Sequence, residues 1–180
     1  MIPSFKAQIQ SGHVVGFPTE TVYGLGADAF NKEAVESIYK IKKRPFDKPM
    51  SIHIADREQL NDLVKEISPE AQELIDKHWP GPVTLIFKKS DKVPLWVTRG
   101  LDTIGIRLPD HDLCREFIRG TGTVIVGTSA NISGEDPCIN ASTTQKLFPQ
   151  LMVLDGGSCR EGRASKIIDC SQKEKTVLRD

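Results

Sequence analysis

Hydrophobic positions follow two different periods along this chain. Ala34, Ile38 and Ile41 recur every three or four residues, which predicts an amphipathic helix over 32–43. Residues 103–108 alternate with a period of two, which is typical of a strand. By the same criteria, further helices are predicted over 5–11, 56–67, 69–79, 110–119 and 143–148. Further strands are predicted over 13–17, 51–55, 83–88, 123–127, 151–154, 166–170 and 176–179.

The interleaving of about seven strands with helices predicts a layered α/β (α+β) fold built on a mixed sheet. A length of 180 residues predicts a single domain over 1–180. No apolar run approaches the ~18 residues of a membrane span, and the first residues lack a stretch of signal-peptide length. We therefore expect a cytoplasmic protein with no membrane partner. The four cysteines form no CxxC pair, which favours free thiols in that compartment.

Charge is balanced over the whole chain but not locally. Lys+Arg and Asp+Glu each number 24, which excludes a globally basic nucleic-acid coat. Residues 40–48 nevertheless carry five cations and one aspartate, a net charge of +4. This run is either a solvated helix end, where the dipole favours cations, or an anion site. For the second interpretation, Lys42 and Arg44 would point to one side of an extended segment and suit a phosphate or carboxylate.

An arginine lies inside the otherwise apolar strand predicted over 103–108. Thr103, Gly105 and Arg107 share one face of that strand, which has no large apolar side chain to bury. Because of that lack, this face would line a cavity, and an arginine buried there would require an anionic partner. The alternative is an edge strand with Arg107 in solvent.

Small polar residues are concentrated in three further segments. Residues 18–26 follow a strand, precede a helix and contain threonines and glycines, as in a ligand loop or a capped connection. Residues 127–134 follow the most apolar strand and include Ser129 and Asn131, as in a ligand loop or a capped turn. His53 shares one face of the strand predicted over 51–55 with Ser51 and Ala55, just past the cationic run. The four histidines form no pair with the spacing of metal ligands.

Taken in order, five segments resemble the YrdC family of threonylcarbamoyl-AMP synthases. They are 19–26 (TETVYGLG), 42–45 (KKRP), 79–84 (WPGPVT), 106–109 (IRLP) and 128–134 (TSANISG). The resemblance covers nearly the whole chain and is to the short, single-domain bacterial form. It implies a twisted mixed sheet flanked by helices, with a large, concave, positively charged cleft. One departure is 165–167, which reads Ser-Lys-Ile where the family usually reads Ser-Thr-Ile.

The resemblance also implies a nucleotidyltransferase reaction. Bicarbonate or CO2 combines with the amine of L-threonine, and the carbamate attacks the α-phosphate of ATP to give threonylcarbamoyl-AMP and pyrophosphate. A downstream transferase complex would use this product for N6-threonylcarbamoyladenosine at position 37 of tRNAs that read ANN codons. Mg2+ is expected with ATP, although no acidic pair in the sequence is typical of its ligands.

The site residues follow from the family motifs. Lys42 and Arg44 are implied as catalytic, through stabilisation of negative charge. The implied ATP contacts are Arg44, Lys48, Thr103, Ser129, Asn131 and Arg179. The implied threonine contacts are Thr21, His53, Arg107 and Ser165. The alternative function is a module that binds double-stranded RNA or tRNA through the cationic run, without enzymatic activity.

Overall fold

The computed structural model describes residues 1–172 and 175–180. Its strands are β1 (Val15–Phe17), β2 (Gly24–Asp28), β3 (Ser51–His53), β4 (Val83–Lys88), β5 (Thr103–Arg107), β6 (Ile125–Ser129), β7 (Met152–Val153), β8 (Lys166–Asp169) and β9 (Thr176–Arg179). Its helices are α1 (Ile2–Gln10), α2 (Lys32–Lys42), α3 (Leu60–Leu63), α4 (Pro69–His78), α5 (Leu95–Thr98), α6 (Asp112–Thr121) and α7 (Ala141–Leu147).

The strands of the described residues form one mixed sheet in the order β7-β1-β2-β6-β3-β5-β4-β8-β9. Neighbours run parallel in the pairs β1–β7, β3–β5 and β4–β8 and antiparallel in the other five pairs. The predicted class, a mixed sheet flanked by helices, is confirmed. The described range holds nine strands, however, instead of about seven.

The prediction of a loop over 18–26 that leads into a helix was wrong for its second half. Gly24 begins β2, which pairs with β1 on one side and with β6 on the other. Glycine usually weakens a strand because it has no side chain to pack. Here the ring of Phe17 fills that space, since a Cβ on Gly24 would lie 2.7 Å from the ring. The strand was missed because its packing partner comes from a neighbouring strand.

The single helix predicted over 56–67 was also wrong. A 3-10 turn covers Arg57–Gln59, and α3 adds one short helix before the chain extends at Val64. Val64 forms a bridge with Lys89, so pairing with a remote segment ends the helix. The short helix α5 was not predicted. The four cysteines are free thiols, as expected.

Helices cover the two faces of the sheet unequally. On one face α2 and α4 bury residues such as Ile38 and Ile75 against the alternate apolar positions of the central strands. On the other face α1 and α6 pack together over β1 and β6, around Phe17 and Phe117. Beside α1 and α6, the face towards β5 and β8 carries small and polar side chains, and a cavity opens there. Among the described helices, none combines the length and apolar character that crossing a membrane requires.

Candidate functional site

A cavity of about 180 Å3 lies on this open face of the sheet. Its walls come from β2, β3, β4, β5, β6, β8 and β9 and from the segments around residues 19 and 44. Six of the residues implied by the family motifs line it: Arg44, His53, Arg107, Ser129, Ser165 and Arg179. Three guanidinium groups that are far apart in sequence therefore face one small space.

Arg107 enters the cavity from the interior of the sheet. Its side chain is only 5% exposed, so the alternative of an edge strand with this arginine in solvent was wrong. The anionic partner that a buried arginine requires is Glu20, whose Oε1 lies 2.8 Å from Arg107 Nη2. Arg107 Nε also donates to the carbonyl oxygen of Gly81 at 3.4 Å.

His53 lies beside Arg107, because β3 and β5 pair in parallel with these two residues in register. The imidazole packs edge-on against the ring of Phe17, with a centroid distance of 5.5 Å. Burial, together with the positive charge of Arg107, lowers the pKa of His53 to about 3. The ring is therefore neutral at physiological pH. Its buried Nδ1 has no hydrogen-bond partner within residues 1–172 and 175–180.

Lys42 does not line the cavity but lies behind it. It is the last residue of α2 and is 1% exposed. Its ammonium donates to the Asn131 carbonyl oxygen at 2.7 Å, to Asn131 Oδ1 at 2.9 Å, and to the carbonyl oxygen of Ser129. Burial and the nearby charge of Arg44 lower the pKa of Lys42 to about 8. The lysine thus fixes the loop after β6, and Ser129 Oγ donates to Asn131 Oδ1 at 2.6 Å within it.

Arg44 reaches the cavity by a different geometry from the one expected. The segment is not extended, because α2 continues to Lys42 and Lys43 adopts a left-handed conformation with φ of 52°. This turn separates Lys42, directed inwards, from Arg44, which lines the cavity and donates to the Pro49 carbonyl oxygen at 2.9 Å. The Tyr39 hydroxyl supports the same turn by donating to the Lys48 carbonyl oxygen at 2.7 Å.

Besides Lys42, four of the residues implied by the motifs lie outside the cavity lining. Lys48 is exposed, and Asn131 lies behind Ser129. Thr103 lines an adjoining, more apolar groove of about 290 Å3 that shares Thr84 with the cavity. Thr21 is buried and contacts the cavity through Thr19, with 2.8 Å between the two hydroxyl oxygens.

Ser165 and Arg179 form a pair at the far wall. Ser165 Oγ lies 2.9 Å from Thr84 Oγ1, and Arg179 donates from Nε to the Ser165 carbonyl oxygen at 2.7 Å. Burial and the charges of Arg107 and Arg44 lower the pKa of Arg179. Burial disfavours the charged guanidinium, and like charges across the cavity add to that effect.

Glu20 and Tyr23 were not predicted from the sequence as individual site residues. The signal for Glu20 was the requirement of Arg107 for an anion, but its position in the fold was not visible in the sequence. Tyr23 connects the site to the loop at 155–157: its hydroxyl donates to the Gly157 carbonyl oxygen at 2.9 Å and accepts from Gly156 N at 3.0 Å. No pattern in the sequence pointed to this contact.

Comparison with known proteins identifies the family. The Sua5_yciO_yrdC family model, described as "Telomere recombination", matches residues 7–180. The chain belongs to the Sua5/YciO/YrdC family. It is 43% identical to the threonylcarbamoyl-AMP synthase of Pyrococcus abyssi over 173 residues, which cover 95% of this chain and 51% of that protein. It is 35% identical to the threonylcarbamoyl-AMP synthase of Vibrio campbellii, with 95% of this chain and 94% of that protein covered.

The fold of a solved family member agrees closely. The crystal structure of P. abyssi Sua5 complexed with L-threonine superposes with a TM-score of 0.95 at 42% identity. That superposition covers 99% of this chain and 53% of the other. The chain thus spans about half the length of the archaeal family member and nearly all of the Vibrio one.

Proposed function

We propose that this protein is an L-threonylcarbamoyladenylate synthase. The observation that carries the proposal is the convergence of Arg44, Arg107 and Arg179 on one cavity beside a neutral His53. Such a site suits a ligand with several negative charges and a small polar part. A triphosphate and an amino acid together have that character, and relatives that match most of this chain are threonylcarbamoyl-AMP synthases.

In this proposal the threonine lies at the buried end of the cavity. Arg107 binds its carboxylate, because a guanidinium presents two parallel donors to a carboxylate. The neutral ring of His53 lines the cavity and would contact the polar side chain of the threonine there. Thr21 and Ser165 complete this part of the site through the Thr19 and Thr84 hydroxyls that they contact.

The ATP would lie towards the mouth of the cavity. Arg44 and Arg179 face its phosphates, and Ser129 lies between them and Asn131. The nucleoside would contact Thr103 in the adjoining groove. A phosphate would contact the exposed Lys48 only after that side chain changes its conformation. Lys42 acts by holding the Ser129–Asn131 loop in place.

The chemical step needs no covalent intermediate with the protein. The threonine amine adds to CO2 with loss of a proton, or condenses with bicarbonate with loss of water, and forms a carbamate. A carbamate oxygen then attacks the α-phosphorus of ATP. The bond between the α-phosphorus and the bridging oxygen breaks, and pyrophosphate leaves with that electron pair. The arginines stabilise the negative charge on the phosphorus centre and on the leaving group, and the cavity aligns the reactants.

Mg2+ would enter with the nucleotide. Among the described residues that line the cavity, none carries a carboxylate. Phosphate oxygens and water are the ligands that Mg2+ commonly keeps at nucleotide sites, so the protein need not supply its own. The acidic ligands that a protein-held Mg2+ would require are thus not part of this proposal.

The wider context follows from the same proposal. The product would pass to a threonylcarbamoyl-transferase complex that modifies tRNA, in the cytoplasm, and residues 1–180 would act as a single domain. The alternative function, binding of double-stranded RNA by the cationic run, has less support. Lys42 is buried and Arg44 faces the cavity, so residues 40–48 do not present a continuous basic surface.

The test is pyrophosphate release by the purified protein with ATP, L-threonine, bicarbonate and Mg2+. We expect release to require all of threonine, ATP and bicarbonate, and Arg44→Ala to reduce kcat/KM by about 100-fold or more, the typical effect of losing one electrostatic donor. Lys6→Ala, an exposed lysine on α1, is the matched control. Absence of threonine-dependent release from folded wild-type protein would overturn the proposal.

A further inference from the structure

We infer that Glu20 is a positioning residue for substrate binding: its carboxylate holds the Arg107 guanidinium in the orientation that receives the amino-acid carboxylate. The inference rests on the proposed function and adds to it a residue that makes no contact with the ligand. Glu20 does not line the cavity, and Arg107 does.

Glu20 and Arg107 form an ion pair between two buried side chains. Glu20 is 1% exposed and Arg107 is 5% exposed at the side chain, and Glu20 Oε1 lies 2.8 Å from Arg107 Nη2. Both Glu20 oxygens lack a hydrogen bond of normal alignment to any residue in the described part of the chain. Within the described residues, the ion pair with Arg107 is thus the polar contact of the Glu20 carboxylate.

Hydrogen bonds to a neighbouring loop fix the backbone that carries the Glu20 side chain. The Glu20 carbonyl oxygen accepts from Glu161 N at 2.9 Å, and the next carbonyl, of Thr21, accepts from Gly162 N at 3.0 Å. The segment 19–21 is therefore held between the sheet and the 155–165 loop. A carboxylate on such a rigid segment can orient a guanidinium that would otherwise sample several rotamers.

The charge balance gives a second reason for this role. An unpaired guanidinium in the buried end of the cavity would carry a large desolvation cost. The Glu20 charge offsets that cost in the absence of ligand, while Arg107 itself lines the cavity. Arg107 is thereby aligned before the ligand arrives, which lowers the cost of ordering it upon binding.

The experiment compares Glu20→Gln, Glu20→Asp and the control Glu161→Gln, an exposed acid of the adjacent loop. The Kd of L-threonine is measured by calorimetry, and KM for threonine and for ATP by pyrophosphate release. We expect Glu20→Gln to raise the Kd and KM for threonine by about tenfold, the typical effect of losing a group that orients a binding side chain. The KM for ATP should stay within about twofold of the wild-type value. Glu20→Asp, which keeps the charge, should recover part of the loss.

Equal changes in both KM values, or no recovery by Glu20→Asp, would indicate a general structural role and overturn the inference. If Glu20→Gln does not fold, the double variant Glu20→Gln/Arg107→Met removes both charges. Recovery of its folding supports the pairing, and failure overturns the inference.

The proposed function can fail separately. If the wild type binds threonine but releases no pyrophosphate, the proposed function is wrong and the calorimetric comparison still decides the role of Glu20. If the wild type does not bind threonine, both are wrong.

Discussion

At the scale of single residues, Lys42 is a cation that does not line the cavity but holds the loop that forms part of its wall. Its ammonium has three carbonyl or amide oxygens around it, from Ser129 and Asn131. A lysine has three N–H donors, so these contacts use all of them. The position of Lys42 in a cationic run suggested a phosphate contact, whereas the structure uses it to join the end of α2 to the loop after β6.

This arrangement predicts the behaviour of Lys42→Met. The variant keeps the apolar stem but leaves buried acceptors without a donor, so we expect the free energy of unfolding to fall by about 1–3 kcal/mol. Displacement of the Ser129 loop should lower kcat/KM by about 100-fold, the cost of a small misplacement. Urea denaturation and pyrophosphate release measure the two effects. Lys40→Met, an exposed lysine of the same helix, should change neither, and a fully active Lys42→Met would refute the role.

At the scale of secondary structure, β2 is stabilised by side chains of the neighbouring strands more than by its own. Gly24 and Gly26 carry no side chain, and the ring of Phe17 from β1 occupies the space above them. The same ring then packs against His53 at the cavity wall. The glycines of β2 thus allow an aromatic side chain to support the site from the side of the sheet.

The packing predicts that Gly26→Ala destabilises the protein. Its Cβ would lie 2.7 Å from Ile125 Cγ2 and 2.7 Å from Phe17 Cε1, closer than real contacts allow. We expect a loss of about 1–3 kcal/mol in the free energy of unfolding, typical of overpacking, measured by urea denaturation. Combining Gly26→Ala with Phe17→Leu should recover part of that loss, because leucine leaves room for the methyl group. An unchanged urea midpoint in Gly26→Ala would contradict this account.

At the scale of the whole molecule, a neutral chain assembles a local positive field. Lys+Arg and Asp+Glu balance at 24 each, yet Arg44, Arg107 and Arg179 face the same cavity. Burial, and after it the repulsion between like charges, lowers the pKa of Arg179 and of the nearby Lys42. The folded protein therefore holds like charges together, and a bound anion relieves that repulsion.

It follows that ATP should stabilise the fold, and that Arg179 should contribute to the effect. At 100-fold excess over Kd we expect ATP to raise Tm by about 5–10 °C, more than NaCl at equal ionic strength. Arg179→Gln should reduce this shift, whereas Lys6→Gln, which removes an exposed charge on α1, should not. Thermal unfolding with and without ATP provides the measurement. Equal shifts in Arg179→Gln and wild type would show that Arg179 does not face the nucleotide.

Much of the element order was predictable because periodicity is a local property. The helix over 32–43 and the strand over 103–108 were found with small errors at their ends, since each carries its own apolar face. The shared face of Thr103, Gly105 and Arg107 also followed from the two-residue repeat of a strand. The requirement of Arg107 for an anion was likewise visible from the cost of burying a charge.

The partners of those residues depended on the tertiary structure, because pairing joins segments that are distant in sequence. The register of β3 against β5 places His53 beside Arg107, and the segment before β2 supplies Glu20. The left-handed turn at Lys43 directs Lys42 inwards and Arg44 towards the cavity, which charge alone could not distinguish. The sequence by itself determined which side chains needed partners. Only the folded sheet determined which partners they received, because those contacts come from register, burial and the direction in which each element ends.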